Sequence, residues 1–228
     1  MTVRVAPDGR PRNLLAPRQP IAIVRLSDLT HALPLTRALV EGGIRSIEFT
    51  LTNRDSLEAI KQVRASLQED VVVGAGTVLT AEDARDSIQA GAQFLVTPAF
   101  LPVVIGTGRE HTVPVVSGAF TPTEILAAWQ SGADLVKVFP AGRVGPSYIK
   151  DVLGPLPDIP LVPTGGVDLH NCGAFLKAGA YTVAVGSSLV REQLVARQDW
   201  PGLRALAHQF VRACADPATE GTGLLQSD

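Results

Sequence analysis

Four stretches of this chain follow one plan: EGGIRSIEF, QAGAQFLVT, QSGADLVKV and KAGAYTVAV each end a helix, turn on a glycine and enter an apolar run. Glycine just past a helix suits the left-handed C′ conformation, where a Cβ carries a steric cost. Helix starts follow the apolar runs. In TPTE, Thr121 is placed to cap, Pro122 to fill the first helical position and Glu124 to complete a capping box; TAED at 80–83 repeats the arrangement.

Carried along the chain, this rhythm predicts strands at roughly 20–26, 46–51, 71–76, 94–98, 113–118, 134–139, 160–164 and 181–186. Helices fall near roughly 28–41, 55–68, 80–90, 101–110, 122–131, 146–153, 169–178 and 201–214. The strands are short and apolar on both faces, as in a parallel sheet covered by helices. Eight βα units point to an α/β protein with a single-domain (β/α)8 TIM barrel. A doubly wound open sheet is the alternative, but it usually has fewer strands and often a glycine-rich loop after the first, which IAIVRLSDL lacks. The expected organisation is a polar lead-in at 1–17, a barrel at 18–215 and a solvated tail at 216–228.

At 228 residues, 46% hydrophobic and 18% charged, the chain has enough apolar content for one sizeable core. A net charge of −2 without any basic block argues against nucleic acid or a membrane surface as partner. Two cysteines are too few for a disulfide framework and suit a reducing compartment. No stretch has signal-peptide or membrane-span character, so the expectation is a soluble, cytoplasmic protein.

Against this background Lys137 stands out. It lies in ADLVKVFPAG, between Leu135, Val136, Val138 and Phe139, in a chain with four lysines among 20 basic residues. Period-two alternation puts Leu135, Lys137 and Phe139 on one strand face. If that face is inward, desolvation lowers the amine's pKa and yields the neutral nucleophile a Schiff base needs. An ion-paired lysine, or one reaching the barrel mouth, is the bland alternative. In SIEFTL, Glu48, Thr50 and Thr52 share a face; a carboxylate there is costly unless paired or working, and it could serve as proton shuttle for the amine. A purely structural Glu48–Lys137 pair reads the same way in sequence.

Three glycine-bearing turns follow strands: GAGTV (74–78), PTGGV (163–167) and AVGSSL (184–189). The last two fall after strands seven and eight, the usual phosphate position of such barrels, which nominates Gly165, Gly166, Gly186 and Ser187. Arg25, ending the first strand, is a candidate carboxylate clamp or else a surface arginine. His31, His111, His170 and His208 are scattered without metal-ligand spacing, Cys172 and Cys214 read as buried helix residues, and Trp129 as helix packing.

Taken together and in order, ALVEGGIRSIEFTLTN, VGAGTVLTAED, GAQFLVTPAF, FTPTEI, KVFPAGRVGPSYIK, PTGGV and AVGSSLV resemble the class I 2-keto-3-deoxy-6-phosphogluconate aldolases, also described as 4-hydroxy-2-oxoglutarate aldolases. The likeness runs from about Ile21 to Arg191. It implies a (β/α)8 barrel, commonly a homotrimer, without metal or organic cofactor. Its substrate would be a phosphorylated 2-keto-3-deoxy sugar acid, cleaved to pyruvate and glyceraldehyde 3-phosphate, with 4-hydroxy-2-oxoglutarate as a second substrate. By matching motif, Lys137 is the Schiff-base lysine and Glu48 the general acid–base. Thr77, Pro98, Phe139 and Thr164 line the pocket, and phosphate sits around Gly165, Gly166 and Ser187.

Two departures bear on specificity. Some relatives carry a carboxylate-binding arginine where this chain has Thr52; others, like this one, have an arginine at the end of strand one. The substrate carboxylate is therefore assigned to Arg25 with help from Thr52, ahead of Arg54. Ser117 stands where the family usually has proline, a change expected to act on the fifth βα loop and the choice of aldehyde. The strand-one arginine is shared with 6-phosphogalactonate aldolases, which keeps that epimer open. A non-catalytic phospho-sugar-acid binding barrel and a phosphate-binding barrel isomerase are the rival classes.

Overall fold

The computed structural model describes residues 15–67 and 70–215; the first fourteen residues of the expected lead-in and the whole tail from Asp216 lie outside the described residues. Among the described residues, eight strands alternate with helices. The first half comprises β1 (Ile21–Val24), α1 (Ala32–Glu41), β2 (Ser46–Thr50), α2 (Ser56–Ser66), β3 (Val72–Gly76), α3 (Ala81–Gln89), β4 (Leu95–Val96) and α4 (Pro102–Glu110). The second comprises β5 (Val115–Ala119), α5 (Pro122–Gln130), β6 (Leu135–Val138), α6 (Gly145–Leu153), β7 (Leu161–Pro163), α7 (Cys172–Lys177), β8 (Ala184–Val185), α8 (Glu192–Ala196) and α9 (Trp200–Ala215).

Every strand pair is parallel, in the order β7-β6-β5-β4-β3-β2-β1-β8. A bridge between Thr164 and Ala184 joins β7 to β8 and closes the ring, helped by Tyr181 N–H donating to Leu161 O at 2.9 Å. Closure without a reversal of strand order excludes the doubly wound sheet and makes this a (β/α)8 barrel.

The local signals explain why. Gly43, Gly91, Gly132 and Gly179, the C′ positions of the four repeated segments, have φ between 95° and 103°. Thr80 with Asp83, and Thr121 with Glu124, form complete capping boxes at the starts of α3 and α5. Strand alternation then sorts the core in two. Ala22, Ile47, Phe49, Val73, Ala75, Leu95, Val115, Val136 and Val138 face the helix layer. Ile21, Ile23, Val72, Val96, Val116, Leu135, Val162 and Ala184 fill the barrel interior, with Phe94. Each buried Val, Leu, Ile or Phe among them contributes about 1.5–3 kcal/mol.

Four details differ from the sequence reading. Leu15, at the end of the lead-in, is buried in the interior cluster, and its carbonyl accepts from the Tyr181 hydroxyl at 2.8 Å. Strand eight contracts from 181–186 to two residues, because Tyr181 and Val183 spend their backbone groups on Leu161 and Ile21 in an irregular ladder. The helix expected at 169–178 begins only at Cys172, Asp168 and Asn171 forming a side-chain-bonded turn ahead of it. Helix α8 and a 3-10 turn at Ala141–Arg143 add elements too short to leave a periodic signal.

Candidate active site

The interior is apolar at the N-terminal end of the strands and polar toward the C-terminal end. Lys137 shares its face with Leu135, which lies in the interior cluster, while Val136 and Val138 face the helices. Its residue is 4% exposed, and Nζ stands 5.3 Å from the Phe139 ring centroid. Glu48 alternates with Ile47 and Phe49, both packed outward, so its carboxyl also turns inward; it is 1% exposed. Burial is the largest influence on both groups. It holds the Lys137 amine below its ordinary range, against the attraction of Glu48, and pushes the Glu48 carboxyl up, against Lys137 and Arg25. Both are driven toward their neutral forms: an amine able to attack a carbonyl and a carboxylic acid able to give up a proton.

Glycines stand beside these two side chains on the neighbouring strands. Gly118 is the ladder partner of Lys137, and Gly74 that of Glu48. A Cβ on Gly74 would strike the Phe94 ring at 2.6 Å, and one on Gly118 the Pro98 and Ala99 backbone at 2.3–2.4 Å. Thr97 fixes the latter approach: its hydroxyl accepts from Gly118 N–H at 2.9 Å and donates to Ala99 O at 2.7 Å.

Arg25 follows β1 directly and is exposed, yet its charge acts on both Glu48 and Lys137, so it belongs to the same mouth. Thr50 and Thr52 share a hydrogen bond at 2.9 Å, which ties the exposed Thr52 to the strand end. Arg54 is exposed at the foot of α2. Thr77, just after β3, holds φ at 59°, a rare conformation for a β-branched residue and a strained one. Pro98 is half-buried at the end of β4, packed on Gly118.

The glycine turn after β7 is braced from β6. Thr164 is buried; its N–H donates to Val138 O at 2.9 Å and its carbonyl accepts from Ala141 N–H at 2.7 Å. Gly165 and Gly166 have φ of 80° and 76°, and Gly142 N–H donates to Gly165 O at 2.7 Å. A Cβ on Gly165 would stand 3.0 Å from the Phe139 ring, so Phe139 lies between this turn and Lys137. Asn171 closes the far side, donating to Gly166 O at 2.8 Å. Gly186 is half-buried and Ser187 exposed, directly after β8.

The sequence reading missed Gly118, Thr97, Gly142 and Asn171, whose roles depend on partners distant along the chain. Only Gly118 left a trace, as a glycine inside an apolar strand. Ser117 sits inside β5 on the helix-facing side with Val115 and Ala119, fully buried, its hydroxyl without a hydrogen-bond partner among the described residues. Cys172 and Cys214 are buried, as expected. Among the described residues no group of three or more His, Cys, Asp or Glu side chains forms a metal cluster, and no helix is long and apolar enough to cross a membrane.

This layout has close relatives. The family model described as KDPG and KHG aldolase matches residues 13–206. A 2-dehydro-3-deoxy-phosphogluconate aldolase of Treponema pallidum (strain Nichols) is 38% identical, over 84% of this chain and 91% of its own length. A solved structure of native KDPGal superposes with a TM-score of 0.81 at 30% identity, covering 86% of this chain and 94% of the other. A KDPG aldolase from Legionella pneumophila, with pyruvate captured as a covalent carbinolamine, gives a TM-score of 0.78 at 28% identity, covering 84% and 93%. By the family model that matches most of its length and by relatives of this identity, this chain belongs to the KDPG and KHG aldolase family.

Proposed function

We propose that the chain is a class I aldolase that cleaves 2-keto-3-deoxy-6-phosphogluconate to pyruvate and glyceraldehyde 3-phosphate. The observation that carries this reading is a lysine and a glutamate enclosed in one barrel interior, each biased toward its neutral form by burial. Neutral Lys137 attacks the C2 ketone and gives a carbinolamine. Glu48 protonates the departing hydroxyl, water leaves, and an iminium forms. Loss of the C4 hydroxyl proton breaks the C3–C4 bond, its electron pair passing to the iminium. Glyceraldehyde 3-phosphate departs and an enamine of pyruvate remains. Protonation at C3 and hydrolysis return pyruvate and the free amine.

In this reading Arg25, with Thr52, clamps the substrate carboxylate, and Thr77, Pro98, Phe139 and Thr164 shape the pocket around the reacting carbons. Gly165, Gly166, Gly186 and Ser187 hold the phosphate, where left-handed glycines turn backbone N–H groups toward an anion. We also infer a cytoplasmic homotrimer, supported by the family resemblance and checked by light scattering. A strand-one arginine and the likeness to native KDPGal favour testing the galactonate epimer beside the gluconate one.

The deciding experiment is reductive trapping. Pyruvate and borohydride should leave a reduced adduct on Lys137, located by peptide mass spectrometry. Folded protein without an adduct would make Lys137 structural and favour a non-catalytic sugar-acid binder.

A further inference from the structure

The barrel rim carries an aromatic pair with no part in the chemistry above. Phe120 follows β5 directly, and by alternation position 120 falls on the face of Val116 and Gly118. Gly118 is the ladder partner of Lys137, so two further residues place position 120 about 6.6 Å along the strand toward solvent. Phe139 N–H donates to Ala119 O at 3.0 Å, which sets Phe120 beside the turn that leaves β6. Phe120 is 37% exposed, yet it is pinned. Its ring stacks on Tyr148 of α6 with centroids 6.2 Å apart and planes 19° from parallel. Its carbonyl accepts from the Tyr148 hydroxyl. Its N–H donates to Glu124 Oε2 at 2.8 Å, as does that of Thr121. An aromatic face and an anchored carboxylate thus stand together at the end of strand five, with strand six between them and the glycine turn that follows strand seven.

We propose that Phe120, held by Tyr148, is a specificity-determining residue that selects the aldehyde half of the substrate, favouring glyceraldehyde 3-phosphate over glyoxylate. This rests on the aldolase reading. The two aldehydes differ at the carbon next to the carbonyl. Glyceraldehyde 3-phosphate has a neutral CHOH there, with its charge at the far end, where the glycine turns receive it. Glyoxylate has a carboxylate there. A carboxylate against the ring meets the negative face of the aromatic quadrupole and gives up hydration. It also nears Glu124, whose carboxyl is held below its ordinary range by the Thr121 and Phe120 N–H groups and stays charged at neutral pH. Burial raises the Tyr148 phenol, so the hydroxyl remains a donor at neutral pH.

The test compares kcat/KM for cleavage of 2-keto-3-deoxy-6-phosphogluconate and of 4-hydroxy-2-oxoglutarate in wild type, Phe120→Ser and Tyr148→Phe. Phe120→Ser should lower the ratio of the two by about tenfold, the scale of one lost apolar discrimination. Tyr148→Phe, which frees the Phe120 carbonyl while keeping the stack, should lower it less and in the same direction. Borohydride trapping of pyruvate on each protein reports an assembled amine site. Trapping with an unchanged ratio overturns the inference, as does an equal loss on both substrates. A fall in particle mass with an unchanged ratio also overturns it, and makes the pair a contact between copies. A wild type that traps no pyruvate instead removes the aldolase reading itself.

Discussion

The Glu48 carboxylate occupies the space in which a side chain at position 76 would begin: a Cβ on Gly76 would stand 2.5 Å from Glu48 Oε1 and 2.9 Å from its carboxyl carbon. The same Oε1 is buried without a hydrogen-bond partner among the described residues, so no hydrogen bond to that oxygen holds it there. Gly76→Ala should therefore swing the acid–base group away from the amine while leaving Lys137 in place. The expected result is a kcat lowered by at least about tenfold, against the roughly 10²-fold of Glu48→Gln, with KM moved less than kcat. Steady-state kinetics on both variants, with Lys137 trapping as the check on the amine, decides it; a fully active Gly76→Ala enzyme would mean the carboxylate has another stable position.

Burial of Glu48 and Lys137 makes stability depend on pH in opposite senses. The folded Glu48 carboxyl is raised above its ordinary 4.5. Its contribution is full below 4.5 and is lost as pH rises through the raised value, because the unfolded chain has already ionised. The folded Lys137 amine is lowered from its ordinary 10.5. Its contribution is full above 10.5 and is lost as pH falls through the lowered value, because the folded state must then charge a buried amine. The gain in Tm from Glu48→Gln should thus grow with rising pH, and that from Lys137→Met should grow with falling pH. Thermal unfolding of both across the pH range is the measurement, and parallel trends would contradict the burial-driven origin of the shifts.

Arg25 is exposed at the mouth while its charge reaches both Glu48 and Lys137, so truncating it costs little core packing. Arg25→Ala should raise KM by about tenfold, the loss of one charge-assisted pair, with a smaller change in kcat. An unchanged KM would move the substrate carboxylate to another residue, with Arg54→Ala the next variant to assay.

The fold and the inward placing of Lys137 and Glu48 were legible because they rest on local rules. Left-handed glycines such as Gly91 and Gly132, and caps such as Thr121 with Glu124, act within a few residues, and period-two alternation puts Lys137 and Glu48 inside once the strands are known. What stayed hidden depends on who stands across the ladder. Gly118 matters because Lys137 is its partner and Pro98 its neighbour, neither of them adjacent in sequence. Strand eight was overdrawn because Tyr181 and Val183 look like strand residues but spend their bonds irregularly. The side of β5 on which Ser117 lies follows from the alternation with Val115 and Ala119, and only the fold shows that this side faces the helix layer.

That orientation gives Ser117 a measurable cost. Its hydroxyl is fully buried without a partner among the described residues, which leaves the desolvation of one polar group uncompensated. Ser117→Ala should stabilise the protein by about 1–3 kcal/mol, or roughly 2–4 °C in Tm per kcal/mol, with aldehyde preference unaltered. A lowered Tm would reveal a buried water serving the hydroxyl.

Thr97 and Gly118 test whether the wall opposite Lys137 tolerates any change. A Cβ at position 118 would meet only backbone, Pro98 C at 2.3 Å and Ala99 N at 2.4 Å, and a strand bound on both sides cannot retreat. Thr97→Val keeps the volume but deprives Gly118 N–H and Ala99 O of their shared partner. Gly118→Ala should cost about 3 kcal/mol or more through overpacking. Thr97→Val should cost about 1–3 kcal/mol, chiefly through the orphaned buried Gly118 N–H, and Thr97→Ser should restore most of it. Denaturant unfolding ranks the three. If Thr97→Val matched wild type in both stability and trapping rate, the hydroxyl would hold nothing in place, and Gly118 alone would set the surface that the lysine faces.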